Sequence, residues 1–328
     1  MLSVLITVDT ESYAKGSPDA QIWGRSKDGQ EYGIRRIMDV LERHGARGTF
    51  YVNVYESGRH GEEALREVIR TIHERGHDVG LHTHPRDLYG IDKLSRADVL
   101  RQREILAWGK SFIERVTGQP VVAHRAGAFA ANTDTVTALR ELSIPVDASL
   151  SPAWWECQLA KKVPSPNRPF FLSGILELPV TFYVQARLGA RRFIRMVDIE
   201  ASSLLEMKSV VRQAVAQSVS AINVLVHSHS FVHDGRGDAR LLRRLDRLLA
   251  YLAREPGVQA ETTRAFHARC QAEPTATVET AAFEAYTGWW LAYLRTVESI
   301  GRGWKTTVAA LAPPVALVTA AVVAYVWR

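Results

Sequence analysis

The chain has 328 residues, 46% of them hydrophobic and 23% charged, enough apolar side chains for a sizeable core, which excludes a disordered chain. The length suits one domain of roughly 250 residues plus an appendage, or two small domains. A net charge of +6, from 41 basic and 35 acidic residues, fits a mildly basic surface or an anionic partner. Basic residues are scattered, densest at 236–247, and no recognition motif accompanies them, so nucleic-acid binding is not expected. Cys157 and Cys270 are too few for a disulfide framework and too far apart for a metal pair.

In chain order, residues 2–8 (LSVLITV) read as a buried strand ending near Asp9. No basic segment or long apolar run precedes it, so a cleavable signal peptide is not expected and the folded body is expected in the cytoplasm. A polar loop to about residue 30 leads to a helix at 33–45, with Ile34, Ile37, Met38 and Leu41 at helical spacing. Strand 48–54, helix 61–75 and strand 77–81 follow, the last running into His82. Then come helix 95–117, strand 120–123, helix 133–142, a short strand at 145–147 and a strand at 174–183. Helix 202–219, strand 221–227 and helix 238–253 complete the alternation. Alternating strands and helices predict a parallel sheet. The repeat count predicts an α/β fold, a distorted (β/α) barrel, with a doubly wound open sheet as the alternative. Either places ligands at the carboxyl ends of strands, where Asp9, His82, Arg125 and His227 lie.

The polar groups at those ends suggest chemistry. Asp9 and Glu11 flank Thr10, and His82 and His84 flank Thr83. Carboxylate plus imidazole suits zinc or another divalent transition metal. Alternate residues of an extended segment share a side, so His82 and His84 can reach one ion. Taken alone, an H-x-H is more often a polar loop, and Asp9 alone is as readily a turn cap. His229, two after His227, is a second-ligand or substrate-contact candidate. Asp147 sits near a strand end, and Trp154 and Trp155 could stack on a sugar ring.

The ordered set TVDTE (7–11), GTFYVN (48–53), GHDVGLHTHP (76–85), HRAGAF (124–129) and NVLVHSHSF (223–231) resembles the polysaccharide deacetylase (NodB-homology) family of carbohydrate esterases. The resemblance covers about residues 1–265 and looks closest to members of lipopolysaccharide or capsule biosynthesis. It implies a barrel of the NodB type and a metal-dependent N-deacetylase of a glycan. It also implies Asp9 as catalytic base, His82 as first metal ligand, Arg125 as the orienter of the base and His227 as general acid. Two departures stand out. Thr10 replaces the family's metal-binding second aspartate, and Arg86 stands where the family's second histidine falls, four after the first. Glu11 or Asp9 is therefore expected to complete a site with His82 and His84, holding zinc, or else cobalt or nickel. Such an ion would acidify water and polarise an acyl carbonyl. Asp9 would take a proton, and His227 would return one to the amine.

The expected domains are a catalytic domain at 1–268, a linker at 269–280 and an aromatic amphipathic segment with an anchor at 281–328. Residues 308–327 form an uncharged run of twenty residues, about 30 Å as a helix, bracketed by Trp304 and Trp327. Arg295, Arg302 and Lys305 precede it, which fits a cytoplasmic side. A helical, membrane-anchoring extension is thus expected, though Pro313 and Pro314 interrupt it. The expected substrate is a surface-polysaccharide or lipid-linked glycan intermediate. The alternatives are a hydrolase of a non-sugar amide and an inactive membrane-tethered glycan-binding or scaffold protein.

Overall fold

The structure, a computed structural model, describes residues 1–13, 16–272 and 282–298. Parallel strands β1 (Leu2–Thr10), β2 (Thr49–Asn53), β3 (Asp78–Thr83), β4 (Ala123–Ala126) and β5 (Val146–Asp147) lie side by side in chain order. β7 (Ile175–Glu177) continues this run in parallel, and β6 (Phe170–Leu172) caps that edge antiparallel to it. β10 (Ala221–His227) pairs with β1 at the other edge, and β13 (Val258–Glu261) pairs with residues 2–5 of β1. β1 has no exposed residue over its length, the continuous burial that a parallel strand covered on both faces requires.

The sheet curls into a barrel whose gap is bridged by irregular chain. Leu178 N–H donates to the Asp147 carbonyl, and Thr181 N–H to the Asn223 carbonyl. Leu225 and residues 197–199 exchange backbone hydrogen bonds on the far edge of β10. The α/β barrel expectation therefore holds, in a distorted, half-open form.

Helices cover the outside, among them α2 (Ile34–Arg43), α4 (Glu62–Glu74), α6 (Val99–Thr117), α7 (Thr133–Glu141), α9 (Leu204–Ala216) and α10 (Ala239–Leu252). Their apolar stripes form the larger core against the sheet. α9 starts at a capping box, where Ser203 and Glu206 satisfy each other's backbone N–H groups. A smaller cluster fills the barrel: Leu5, Tyr51, Ala123, Val146 and Leu176, with Phe266 and Cys270 from α11 (Thr263–Ala272).

Three boundaries differ from expectation. The strand expected at 120–123 is shifted to Ala123–Ala126, since Pro120 lacks the N–H that a central strand donates, and Arg125 thus sits within β4. The single strand expected at 174–183 is divided. Ser173 and Gly174 turn the chain at positive φ (50° and 86°), and Pro179 interrupts the ladder. Beyond it, β8 (Phe182–Leu188) and β9 (Arg191–Met196) form a separate hairpin. Finally, α11 runs past the expected boundary at 268, so residues 269–272 of the expected linker are helical.

The aromatic segment is docked, too. The helix Gly288–Glu298, here α12, packs on β8, and Arg295 reaches Glu206 of α9 at 2.7 Å. The expected span 308–327 lies outside the described residues. Among the described residues no helix is long and apolar enough to cross a membrane.

Gly109 offers a test of the packing. A methyl there would lie 2.5 Å from the Tyr55 hydroxyl and 2.7 Å from Leu81 Cδ1, and that hydroxyl donates to the Ile105 carbonyl at 2.8 Å. Gly to Ala in a helix normally stabilises by about 0.5–1 kcal/mol. Here overpacking reverses the sign, and Gly109→Ala is expected to cost about 1–3 kcal/mol in a urea titration.

Candidate metal centre and active site

Arg125 organises the site. Its side chain is fully buried and runs through the barrel interior. Nη1 donates to Asp9 Oδ1 at 2.6 Å, Nη2 to Thr7 Oγ1 at 2.9 Å and Nε to the Ala148 carbonyl at 3.1 Å. The guanidinium carbon sits 4.4 Å from the Tyr51 ring centroid. A buried charge is tolerated only with such a set of partners. Asp9 is thereby fixed through one oxygen, and its other oxygen, Oδ2, faces His82 Nε2 at 4.0 Å and His227 Nε2 at 3.8 Å.

Three further side chains meet beside it. Glu11 Oε2 lies 3.0 Å from His84 Nε2 and 3.4 Å from His82 Nε2. These three ligand atoms lie within 4.8 Å of one another. His82 Nδ1 donates to the Arg125 carbonyl at 3.0 Å, which leaves the lone pair of the neutral ring on Nε2. That Nε2 is buried and has no hydrogen-bond partner. An orphaned imidazole nitrogen facing a carboxylate and a second imidazole is what a divalent metal's ligand set looks like. The residues present therefore fit a metal ion. Burial works to raise the Glu11 carboxyl, but His84 and His82 overcome it and hold Glu11 well below the usual carboxylate range. Burial works to lower His84, and Glu11 outweighs it to raise that imidazole.

Loop geometry holds this set in place. Asn53 Oδ1 accepts the His84 N–H at 3.2 Å, and Asn53 Nδ2 donates to Glu56 Oε1 at 3.1 Å. Glu56 also accepts Ser12 N–H and Ser12 Oγ–H, each at 2.7 Å. One buried carboxylate thus ties the segment carrying Glu11 to the segment carrying His84. Burial raises its carboxyl to about 7. Gly127 leaves room for the His84 ring in this position, since a Cβ there would lie 2.3 Å from His84 Nε2. The next two residues, Ala128 and Phe129, both adopt left-handed conformations (φ 50° and 51°), strain of the kind that gathers at functional loops.

On the other side of Asp9, Glu200 grips His227. Its Oε1 accepts the His227 N–H at 2.6 Å, and its Oε2 lies 3.2 Å from Nδ1. Burial alone would lower His227, but Glu200 raises it to about 10. Burial alone would raise Glu200, but His227 and Asp198 hold it near 2. Asp198, buried beside Glu200, is pushed well above the carboxylate range by burial and by that neighbour.

Of the residues expected from sequence, Asp9, Glu11, His82, His84, Arg125, His227 and His229 come together. His229 stacks on His227 with centroids 5.1 Å apart, and its Nε2 is 3.8 Å from Glu11 Oε1. Burial and the His227 charge lower it to about 4, so it sits uncharged at the edge of the cluster. Tyr13 covers its other side at 4.1 Å. Trp154 packs against Phe129 with ring centroids 6.3 Å apart, and Lys93 lies 5.3 Å over Trp155. Both indoles are exposed, and Lys93, over Trp155, lines the open cavity of about 320 Å³ beside the cluster together with Glu11, Tyr13, Asn53, Arg59 and His84. Asp147 is turned to the outer face of the sheet, 2.9 Å from His124 Nδ1. Sequence reading missed Glu56, Asn53, Asp198 and Glu200. Their only local signal is acidic or amide groups near helix starts, which ordinary capping explains equally well.

Comparison with known proteins agrees with this picture. Residues 26–146 match the family model described as polysaccharide deacetylase, a span that includes His82, His84 and Arg125. No curated protein matches. Among solved structures, a polysaccharide deacetylase structure from Mycobacterium smegmatis is 20% identical, with a TM-score of 0.57 over 85% of this chain and 93% of that one. The Puue allantoinase is 13% identical, with a TM-score of 0.54 over 83% of this chain and 91% of that one. At these identities the structures speak for the fold. The family match is confined to residues 26–146, and the two solved structures share the fold around it.

Proposed function

We propose that this protein is a metal-dependent hydrolase that removes an N-acyl group from a sugar. The observation that carries the reading is the buried, unpartnered Nε2 of His82, aimed at Glu11 and His84 next to an Asp9 already held by Arg125.

Glu11, His82 and His84 would hold the ion, zinc by donor type with cobalt or nickel as alternatives. A divalent ion there supplies positive charge beside the acyl carbonyl and lowers the pKa of water. The chain's own groups do the rest. Arg125 keeps Asp9 Oδ1 occupied, so Oδ2 is the free acceptor for a proton from the attacking water. His227 is charged at neutral pH and presents Nε2 within 3.8 Å of Asp9 Oδ2, placed to give a proton to the departing amine. Glu200 holds the opposite nitrogen and so fixes the direction in which His227 donates. Tyr13, 61% exposed over His229, offers an aromatic face for a sugar ring. A surface-polysaccharide or lipid-linked glycan intermediate remains the proposed substrate class, and a non-sugar amide would follow the same steps. The domain's proposed place is the cytoplasmic face of the membrane, which the uncharged run 308–327 supports.

Elemental analysis is expected to find about one divalent metal per chain, lost in His82→Ala, His84→Ala and Glu11→Ala. A metal-free wild type after reconstitution would sink the reading. Asp9→Asn is expected to retain the metal yet lose about 10²–10⁴-fold in kcat on N-acetylated oligosaccharides, as removal of a general base does. Loss of metal in that variant would make Asp9 the ligand instead. Parallel assays on cyclic ureides separate the sugar and non-sugar readings.

The His227–Glu200 pair has a defined pH signature in the metal-free protein. His227 is raised from 6.5, so its stabilisation is complete below that pH and lost as pH rises through about 10. Glu200 is lowered from 4.5, so its share is present above that pH and lost as pH falls through about 2. Glu200→Gln is expected to return His227 toward the ordinary imidazole range in an NMR titration. An unchanged His227 pKa would mean that Glu200 does not govern its charge.

A further inference from the structure

The hairpin β8–β9 stands outside the main sheet and takes no part in the site. Its end, 187–192 (RLGARR), is exposed throughout, with Leu188 70% exposed at the turn. Helix α12 lies along β8, buries Ala292 and turns two indoles outward, Trp289 at 56% and Trp290 at 67% exposure. Phe193 joins the two elements, its ring 6.0 Å from Trp289 and 5.2 Å from the Arg191 guanidinium. The patch therefore combines a protruding leucine, two outward tryptophans and three arginines. Glu284 lies between Arg187 and Arg192 and offsets part of that charge.

We propose that this face docks the domain on an anionic lipid surface. Large aromatic side chains left this exposed mark an interaction site. Tryptophan favours the boundary between headgroups and acyl chains, and arginines around an apolar tip favour anionic headgroups. The sequence after α12 points to the same partner. It continues through Arg302 and Lys305 into the uncharged run 308–327, long enough to cross a bilayer core. The proposal goes beyond the hydrolytic reading and does not depend on it.

The test uses the full chain with an environment-sensitive fluorophore on Leu188→Cys, with Leu100→Cys as the control. Leu100 is 67% exposed on α6, and the native Cys157 and Cys270 are buried, so labelling is selective. With phosphatidylglycerol–phosphatidylcholine vesicles, the probe at 188 is expected to shift to the blue and the control to stay unchanged. Arg191→Glu/Arg192→Glu is expected to weaken partitioning about tenfold or more at low salt. An unshifted probe at 188 on a chain that still sediments with vesicles would overturn the proposal. An equal response to pure phosphatidylcholine would overturn the anionic preference. A shift that grows with protein concentration without vesicles would overturn it in favour of a second copy of the chain.

Discussion

A single buried arginine sets the terms for the rest of this molecule. Arg125 extends through the barrel interior and ends on Asp9, with Thr7, the Ala148 carbonyl and the Tyr51 ring completing its surroundings. An isolated charge there would cost several kcal/mol, so the arginine and the aspartate require each other. Their union draws β1 and β4 to a common point across the barrel. It also leaves Asp9 with one free oxygen between two imidazoles. The Arg125 backbone carbonyl then fixes the ring of His82, so one residue positions both the proposed base and a proposed ligand.

The charges divide into two groups on either side of Asp9. On one side Glu11, His82 and His84 have a carboxylate and two imidazoles turned toward one point, with Glu56 and Asn53 holding their loops. On the other, Glu200 locks His227 in its charged form. The first group suits a cation, the second supplies a proton. The separation is electrostatic: Glu11 is compensated by its imidazoles, and Glu200 is reserved for His227.

The outer face of the same strands is polar as well. His124, Asp147 and Glu177 stand opposite one another on β4, β5 and β7, and Thr83 of β3 joins them through His124. Burial and the neighbouring Asp147 push the Glu177 carboxyl well above its ordinary range. Alternation along β4 thus sends Arg125 into the barrel and His124 outward, and a shift of one residue would exchange the two. The Gly127–Phe129 turn follows at once, with Gly127 against the His84 ring and the two strained residues next in the chain.

Much of this was legible in the sequence. Alternating apolar runs and helical stripes pointed to a parallel α/β sheet, because burial on both faces of a parallel strand leaves a continuous apolar signature, and they left a barrel and a doubly wound sheet both open. Asp9, Glu11, His82, His84, Arg125, His227 and His229 were identifiable because strand ends in such folds converge on one face. The tertiary structure alone decided that Glu11 Oε2 faces both His82 and His84, while Asp9 Oδ2 lies between His82 and His227. It also recruited Glu56 and Glu200. Those roles come from contacts between segments 27 to 44 residues apart, or from the path of a loop. Local periodicity specifies which residues share a strand or helix face, and only packing specifies which loops meet.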